Sequence, residues 1–171
     1  MKKLTKIYVD DLDLQTGLVD ITDPCYDADV WCRTNNIKVV PGIYECNAHK
    51  SKNNRIMMLD IYLKDDPETI KKIKKGTSWR KTRMSIGVDA GLAGFFQSPK
   101  PDFDNNDWTI LCNYMAAKNN EYDAQTYSST EVDCSKPFNG VWSESGYGDG
   151  VYPVHAIKNN KGQITALQIR F

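Results

Sequence analysis

At 171 residues the chain is long enough for one domain with a proper core and too short to force two. Its 22 basic and 22 acidic side chains cancel, which leaves no bulk field to draw the molecule to nucleic acid or anionic lipid. The apolar and aromatic content excludes intrinsic disorder, and no apolar run is long enough to cross a bilayer.

Met1-Lys2-Lys3 begins like a signal peptide, but Asp10, Asp11 and Asp13 stand where its apolar run should be, so a cytoplasmic protein is expected. Lys6–Val9 and Leu18–Thr22 read as two short strands with Gln15-Thr16-Gly17 as the turn between them. Pro24 ends the second strand, because it fixes φ and biases Asp23 toward an extended backbone. Residues 27–32 are expected to form a short helical turn that places Trp31, followed by a loop at Thr34-Asn35-Asn36. The Pro41-Gly42 turn opens a strand over Ile43–Asn47, which pairs as a hairpin with the nearly continuous apolar run Arg55–Leu63.

Asp65-Asp66-Pro67-Glu68 predicts a helix start: an acidic cap, proline in the first turn and glutamate at the positive end. Ile70 and Ile73 share its buried face and Gly76 stops it. The lysines and arginines of residues 71–83, with Trp79 among them, are a local basic segment read as a solvated face; nucleic acid is not an expected partner. Met84–Val88 is a strand ending in the glycine-punctuated acidic turn Asp89-Ala90-Gly91-Leu92-Ala93-Gly94-Phe95-Phe96. Asn106 or Asp107 should cap a second helix, whose core face is Trp108, Leu111, Cys112 and Met115, and Asn119-Asn120 should end it. Tyr122–Phe138 reads as a polar surface loop or lid. Val141–Ser143 then leads into Gly146, Tyr147, Gly148, Asp149 and Gly150, and the chain closes on a hairpin of Tyr152–Lys158 with Ile164–Phe171. Six or more strands with two helices predict an α+β fold: a predominantly antiparallel sheet, sandwiched or strongly curved, with both helices packed on it in a single domain, 1–171.

The five cysteines, Cys25, Cys32, Cys46, Cys112 and Cys134, are odd in number and unevenly spaced, as free thiols in a reducing compartment would be. Cys46-x-x-His49 with Cys25 and Cys32 gathers zinc donors on paper. Only one end of that set has close-spaced ligands, so no cofactor is expected.

Three pieces recur at the ends of predicted strands: Asp23-Pro24-Cys25-Tyr26, Val88-Asp89-Ala90-Gly91 and Gly148-Asp149-Gly150-Val151-Tyr152-Pro153-Val154. In this order, with the terminal Ile169-x-Phe171, the chain resembles an uncharacterised family of bacterial and phage proteins, of the DUF4241-like type. The resemblance runs from about Leu18 to the end and implies no activity; it nominates residues without giving them roles. The candidate binding residues are Asp23, Cys25, Tyr26, Asp89, Gly91, Trp142, Tyr147, Gly148, Asp149, Gly150, Tyr152 and His155. Glycine turns expose backbone amides, and tyrosine or tryptophan adds a flat face with a polar edge.

A non-catalytic module binding a small ligand or a partner protein is the first expectation, and inhibitors or immunity factors of phage and bacterial conflict systems supply the analogy. The alternative is a hydrolase, using Asp23, Asp89 and Asp149 on a divalent ion, or Cys25 as nucleophile with His155 or His49 as base. The three motifs are expected to meet in space at one rim of the sheet.

Overall fold

The structure, a computed structural model, describes residues 4–27, 30–31, 33–76, 78–119 and 122–171. Its strands are β1 (Thr5–Asp13), β2 (Leu18–Thr22), β3 (Thr34–Lys38), β4 (Ile43–Lys50), β5 (Ile56–Leu63), β6 (Arg80–Val88), β7 (Leu92–Gln97), β8 (Thr126–Ser128), β9 (Gly140–Glu144), β10 (Gly150–Lys158) and β11 (Ile164–Arg170). The helices are α1 (Pro67–Lys75) and α2 (Asn105–Lys118). The strands form two antiparallel sheets: a six-stranded one in the order β1-β4-β5-β11-β10-β6 and a five-stranded one in the order β3-β2-β7-β9-β8.

The sheets face each other across one core. Leu12, Tyr44, Cys46, Leu59, Ile61, Leu167 and Ile169 come from one side, Val19, Ile21, Phe95 and Val141 from the other. Each sheet also has a helix on its outer face. Ile70 and Ile73 of α1 pack on Tyr62, Ile157 and Ala166, while Leu111 and Met115 of α2 pack on Phe96, Tyr127 and Trp142. Covering both faces explains why β5 and β11 read as nearly unbroken buried runs instead of clean alternation. The expected α+β sandwich with two helices is what the chain forms.

Helix α1 follows its local signals. The Asp66 carboxylate accepts from the Glu68 amide, Pro67 opens the first turn, and Gly76 closes the helix at φ +68. In α2 the cap is Asp104, which takes the Asn106 and Asp107 amides, and neither Asn106 nor Asp107 fills that role. Asp107 is instead buried, accepting from Ser135 N and Oγ at 2.7 Å each. Cys112 is exposed, so the core face of α2 is Leu111 with Trp108, Tyr114 and Met115. Asn119 caps the C-terminus, and Asn120 lies outside the described residues.

Three expectations are corrected by long-range pairing. β1 and β2 are not a hairpin: β1 pairs with β4 and β2 with β7, and the turn between them crosses from one sheet to the other. Thr34–Asn36 is not a loop but most of β3, an edge strand held where Asn36 N donates to Asp20 Oδ1 over 2.8 Å. Phe95 and Phe96 belong to β7, in the middle of the five-stranded sheet, beyond the turn at Gly91. The segment expected as a lid contributes β8 and the turn Ser129–Glu131, and it sends Tyr127 and Phe138 into the aromatic cluster. The helical turn expected over residues 27–32 lies partly outside the described residues; Trp31 itself places its ring against Gly87 of β6.

Candidate functional site

Two connections carry the chain between the sheets, side by side. The turn of Asp89, Ala90 and Gly91 links β6 to β7, and Ser145–Asp149 links β9 to β10. They are tied at both ends, by the pair Gly150–Val88 in one sheet and Leu92–Glu144 in the other, and Ser145 N donates to Gly91 O at 2.8 Å between them. Gly148 takes a positive φ of +79, and a Cβ there would meet no atom, so its conformation and not a close neighbour demands glycine. The crowded glycine of this turn is Gly146, where a Cβ would stand 2.0 Å from the Ile56 carbonyl oxygen of β5. The turn is closed by the Gly148 carbonyl, which accepts from Ser145 Oγ at 2.6 Å and from Tyr152 OH at 2.8 Å.

The third motif joins them through a buried carboxylate. Asp23, fully buried at the end of β2, accepts from Cys25 N at 3.0 Å, Ala90 N at 2.9 Å and Asp89 N at 3.4 Å. Tyr26 OH in turn donates to Asp89 Oδ2 at 2.6 Å. Burial pushes the Asp23 carboxyl above its ordinary value, while the amides of Cys25, Ala90 and Asp89 pull it back. Both carboxylate oxygens already face N–H donors, so Asp23 works as a clamp on the β6–β7 turn. Asp149 sits one residue before the Gly150–Val88 pair, at the same rim, with its side chain in solvent.

The hydrolase constellations do not assemble. Among the described residues no group of three His, Cys, Asp or Glu side chains is placed to hold a metal ion. Cys25 packs against the aromatic cluster on the α2 side, and burial beside the Asp23 carboxylate drives its thiol well above the ordinary range. His155 and His49 lie on the opposite outer side of the sandwich: their strand neighbours Val154, Ala156 and Ala48 face the core, so they face away from it. Neither histidine can serve Cys25 as a base. Cys46 points into the core and His49 out of it, which also dissolves the zinc set, since both are on β4 an odd number of residues apart. The four described cysteines, Cys25, Cys46, Cys112 and Cys134, are free thiols; Cys32 lies outside the described residues.

Two more candidates prove to be core. Trp142 is completely buried, its ring stacked 5.7 Å from Tyr127 and 5.9 Å from Phe96, so it offers no face to a ligand. The Tyr152 ring lies between the sheets, edge-on to Phe171 at 5.2 Å. Tyr147 is exposed at the rim, with the Arg55 guanidinium 5.7 Å from its ring centroid.

Beside the crossover turns lies a cleft of about 380 Å³, walled on its far side by the C-terminal half of α2. Leu92 and Met115 line it with apolar surface, Gly91 and Gly148 bring their backbones to its edge, and Glu144 and Tyr127 supply its polar groups. Burial raises the Glu144 carboxyl and the Tyr127 phenol, and the Glu144 charge raises that phenol further. A hollow of about 730 Å³ along α1 is larger; Lys64, Lys71, Lys74 and Lys75 line it with Asp65, Pro67 and Ile70. Glu144, Tyr127 and Met115 were not nominated from sequence, because three distant segments bring them together.

The family profile for DUF4241, described as a protein of unknown function, matches residues 12–169. The chain belongs to that family. The match takes in all three motifs, both helices and every strand of the two sheets at least in part, so the DUF4241 profile spans the whole sandwich. No curated protein matches the chain. No solved structure matches it either.

Proposed function

We propose that this DUF4241 protein is a binding module that holds a small, partly apolar molecule in the cleft between α2 and the paired crossover turns. One observation carries the reading: Glu144 and Tyr127, the polar pair of the cleft, stand over an apolar floor at the point where the nominated turns border a concave surface. The volume of about 380 Å³ suits a ligand at the small end of the usual range. The ligand's apolar body rests on Leu92 and Met115 and its donor meets the Glu144 carboxyl, which burial holds above its ordinary value. The free thiols of the described cysteines suit a reducing compartment.

The test is a ligand-observed NMR screen of a fragment library against the wild type and two variants. Ala116→Trp fills the cleft from the exposed side of α2 and should abolish binding of the hits without loss of fold. Glu144→Gln should weaken those hits that carry a donor. Hits that bind Ala116→Trp as well as wild type would overturn the reading.

Docking of a partner protein is the second reading, favoured by exposed apolar side chains at the same rim. Trp31 (68% exposed) covers Gly87, the cross-strand partner of Val151 (64% exposed), and Tyr147 (60% exposed) stands on the neighbouring turn. A pull-down that Trp31→Ser and Tyr147→Ser abolish, with fragment binding intact, would favour it.

A further inference from the structure

The outer face of the six-stranded sheet carries a row of polar side chains in register. Asn47 on β4 stands opposite Asp60 on β5, Asp60 opposite Gln168 on β11, Gln168 opposite His155 on β10, and His155 opposite Lys81 on β6. Asn47, Asp60, Gln168 and His155 face away from the sandwich core, because their neighbours Cys46, Leu59, Leu167 and Val154 face into it. The row is nonetheless buried: Asn47, Asp60, Gln168 and His155 are 1%, 3%, 3% and 9% exposed.

Around Asp60 the row is partly bonded, with Asp60 Oδ1 and Asn47 Oδ1 left without a partner among the described residues. His49 Nε2 lies 2.6 Å from Asp60 Oδ2, and Gln168 Nε2 donates to that same oxygen over 3.3 Å. The half on β11, β10 and β6 is different. His155 Nδ1 has no hydrogen-bond partner among the described residues. Arg170, two residues beyond Gln168 on the same face, donates Nε to the neutral Gln168 Oε1 at 2.7 Å, its one side-chain hydrogen bond among the described residues. Neither Arg170 nor Lys81 takes part in an ion pair among the described residues. Burial lowers Arg170, and burial together with Arg170 and Lys81 lowers His155, against a Pro153 carbonyl that raises it. Burial is thus the main cause at both groups, and at His155 the neighbouring Arg170 and Lys81 charges add to it.

Next to this half, and sharing Lys81 with it, runs a groove of about 750 Å³ lined by Lys72, Arg80, Arg83 and Lys158, with no carboxylate in its walls among the described residues. Lys72 is paired with Glu68 at 2.8 Å. Charge on an edge strand ordinarily blocks pairing with other chains, which accounts for the cations of β6, the last strand of the sheet. It does not account for Arg170 and His155, which sit on the interior strands β11 and β10.

We propose that His155, Arg170 and Lys81 form an oxyanion site for the phosphoryl group of a small phosphorylated molecule, whose remainder lies in the adjoining basic groove. Arg170 offers its Nη groups for a bidentate contact, Lys81 adds a point charge, and His155, protonated beside the bound dianion, adds Nδ1 as a further donor. A dianion balances Arg170, Lys81 and a protonated His155 better than a single carboxylate does. The site goes beyond the cleft at α2 and lies on the other outer face of the molecule.

The first probe is inorganic phosphate, titrated at ionic strength matched with sodium chloride while histidine ring signals are followed by NMR. A saturable shift of the His155 ring is expected, weakened about tenfold or more in Arg170→Gln and several-fold in Lys81→Gln, in proportion to the charged hydrogen bonds lost. Ala116→Trp should bind phosphate as wild type does, which separates this site from the α2 cleft. Lys81 is exposed on an edge strand, so Lys81→Gln keeps the test open if Arg170→Gln fails to fold. A linear drift identical to that in chloride overturns the proposal, as does a natively folded Arg170→Gln that binds like wild type. Glucose 6-phosphate is the second probe; binding no tighter than inorganic phosphate overturns the assignment of the groove.

Discussion

Asp23→Ala is the sharpest perturbation of the clamp that joins β2 to the β6–β7 turn. It leaves the amides of Cys25, Ala90 and Asp89 without their acceptor. Two of those bonds are short, at 3.0 and 2.9 Å, and bonds to a charged acceptor contribute about 1.5–3 kcal/mol each. Water can reach the exposed turn at Asp89 and Ala90, and removing a buried carboxylate relieves desolvation, so the expected loss is about 2–4 kcal/mol. For a chain of this size that lowers Tm by roughly 4–16 °C. Urea denaturation followed by tryptophan fluorescence measures it, and a loss below about 1 kcal/mol would refute the clamp. The pH dependence supplies a second check. Burial raises the Asp23 carboxyl, so the folded state holds its proton more tightly than the unfolded chain does. The stability contributed by that proton is fully present below the unfolded value and is lost as pH rises through the folded one. The stability gap between wild type and Asp23→Asn should therefore narrow on going upward from about pH 4.

Three further outcomes are expected. Gly140→Ala places a Cβ 2.1 Å from Phe96 Cδ1, inside the ring cluster under α2, and should cost about 1–3 kcal/mol in chemical denaturation. Asp66→Ala removes the α1 cap and the acceptor of Thr69 Oγ1 at 2.6 Å, and should cost about 1–2 kcal/mol, read as a lower urea midpoint at unchanged slope. Lys100, buried with its ammonium 4.3 Å from the Phe103 ring centroid, is pushed down to about 8 by burial and by Arg33. The unfolded chain binds that proton more tightly, so stability should rise relative to Lys100→Met as pH climbs from about 8 to about 10, by about 2–3 kcal/mol at most; parallel curves would refute the assignment.

What the sequence determined by itself was local. The acidic cap and proline at Asp66-Pro67, the glycine stop at Gly76 and the hairpin of β10 with β11 are set by neighbours a few residues apart, and each formed where its residues placed it. The α+β class followed from the number and spacing of strands. The opposed faces of Cys46 and His49 were equally legible, because a strand alternates at every residue; the zinc pattern overlooked that parity. Tertiary structure decided which sheet each strand joined, since alternation marks a buried face without naming what buries it. Thus β3, polar and at an edge, was indistinguishable from loop, and Trp142 became core only when α2 and Tyr127 covered it. The same holds for the sites. Asp23 finds the Ala90 amide 67 residues away, Glu144 meets Met115 across a cleft, and Arg170 stands beside His155 only through strand register. Such contacts depend on long-range closure of the chain, whose choice among partners is made by the packed core as a whole and by no short stretch of residues.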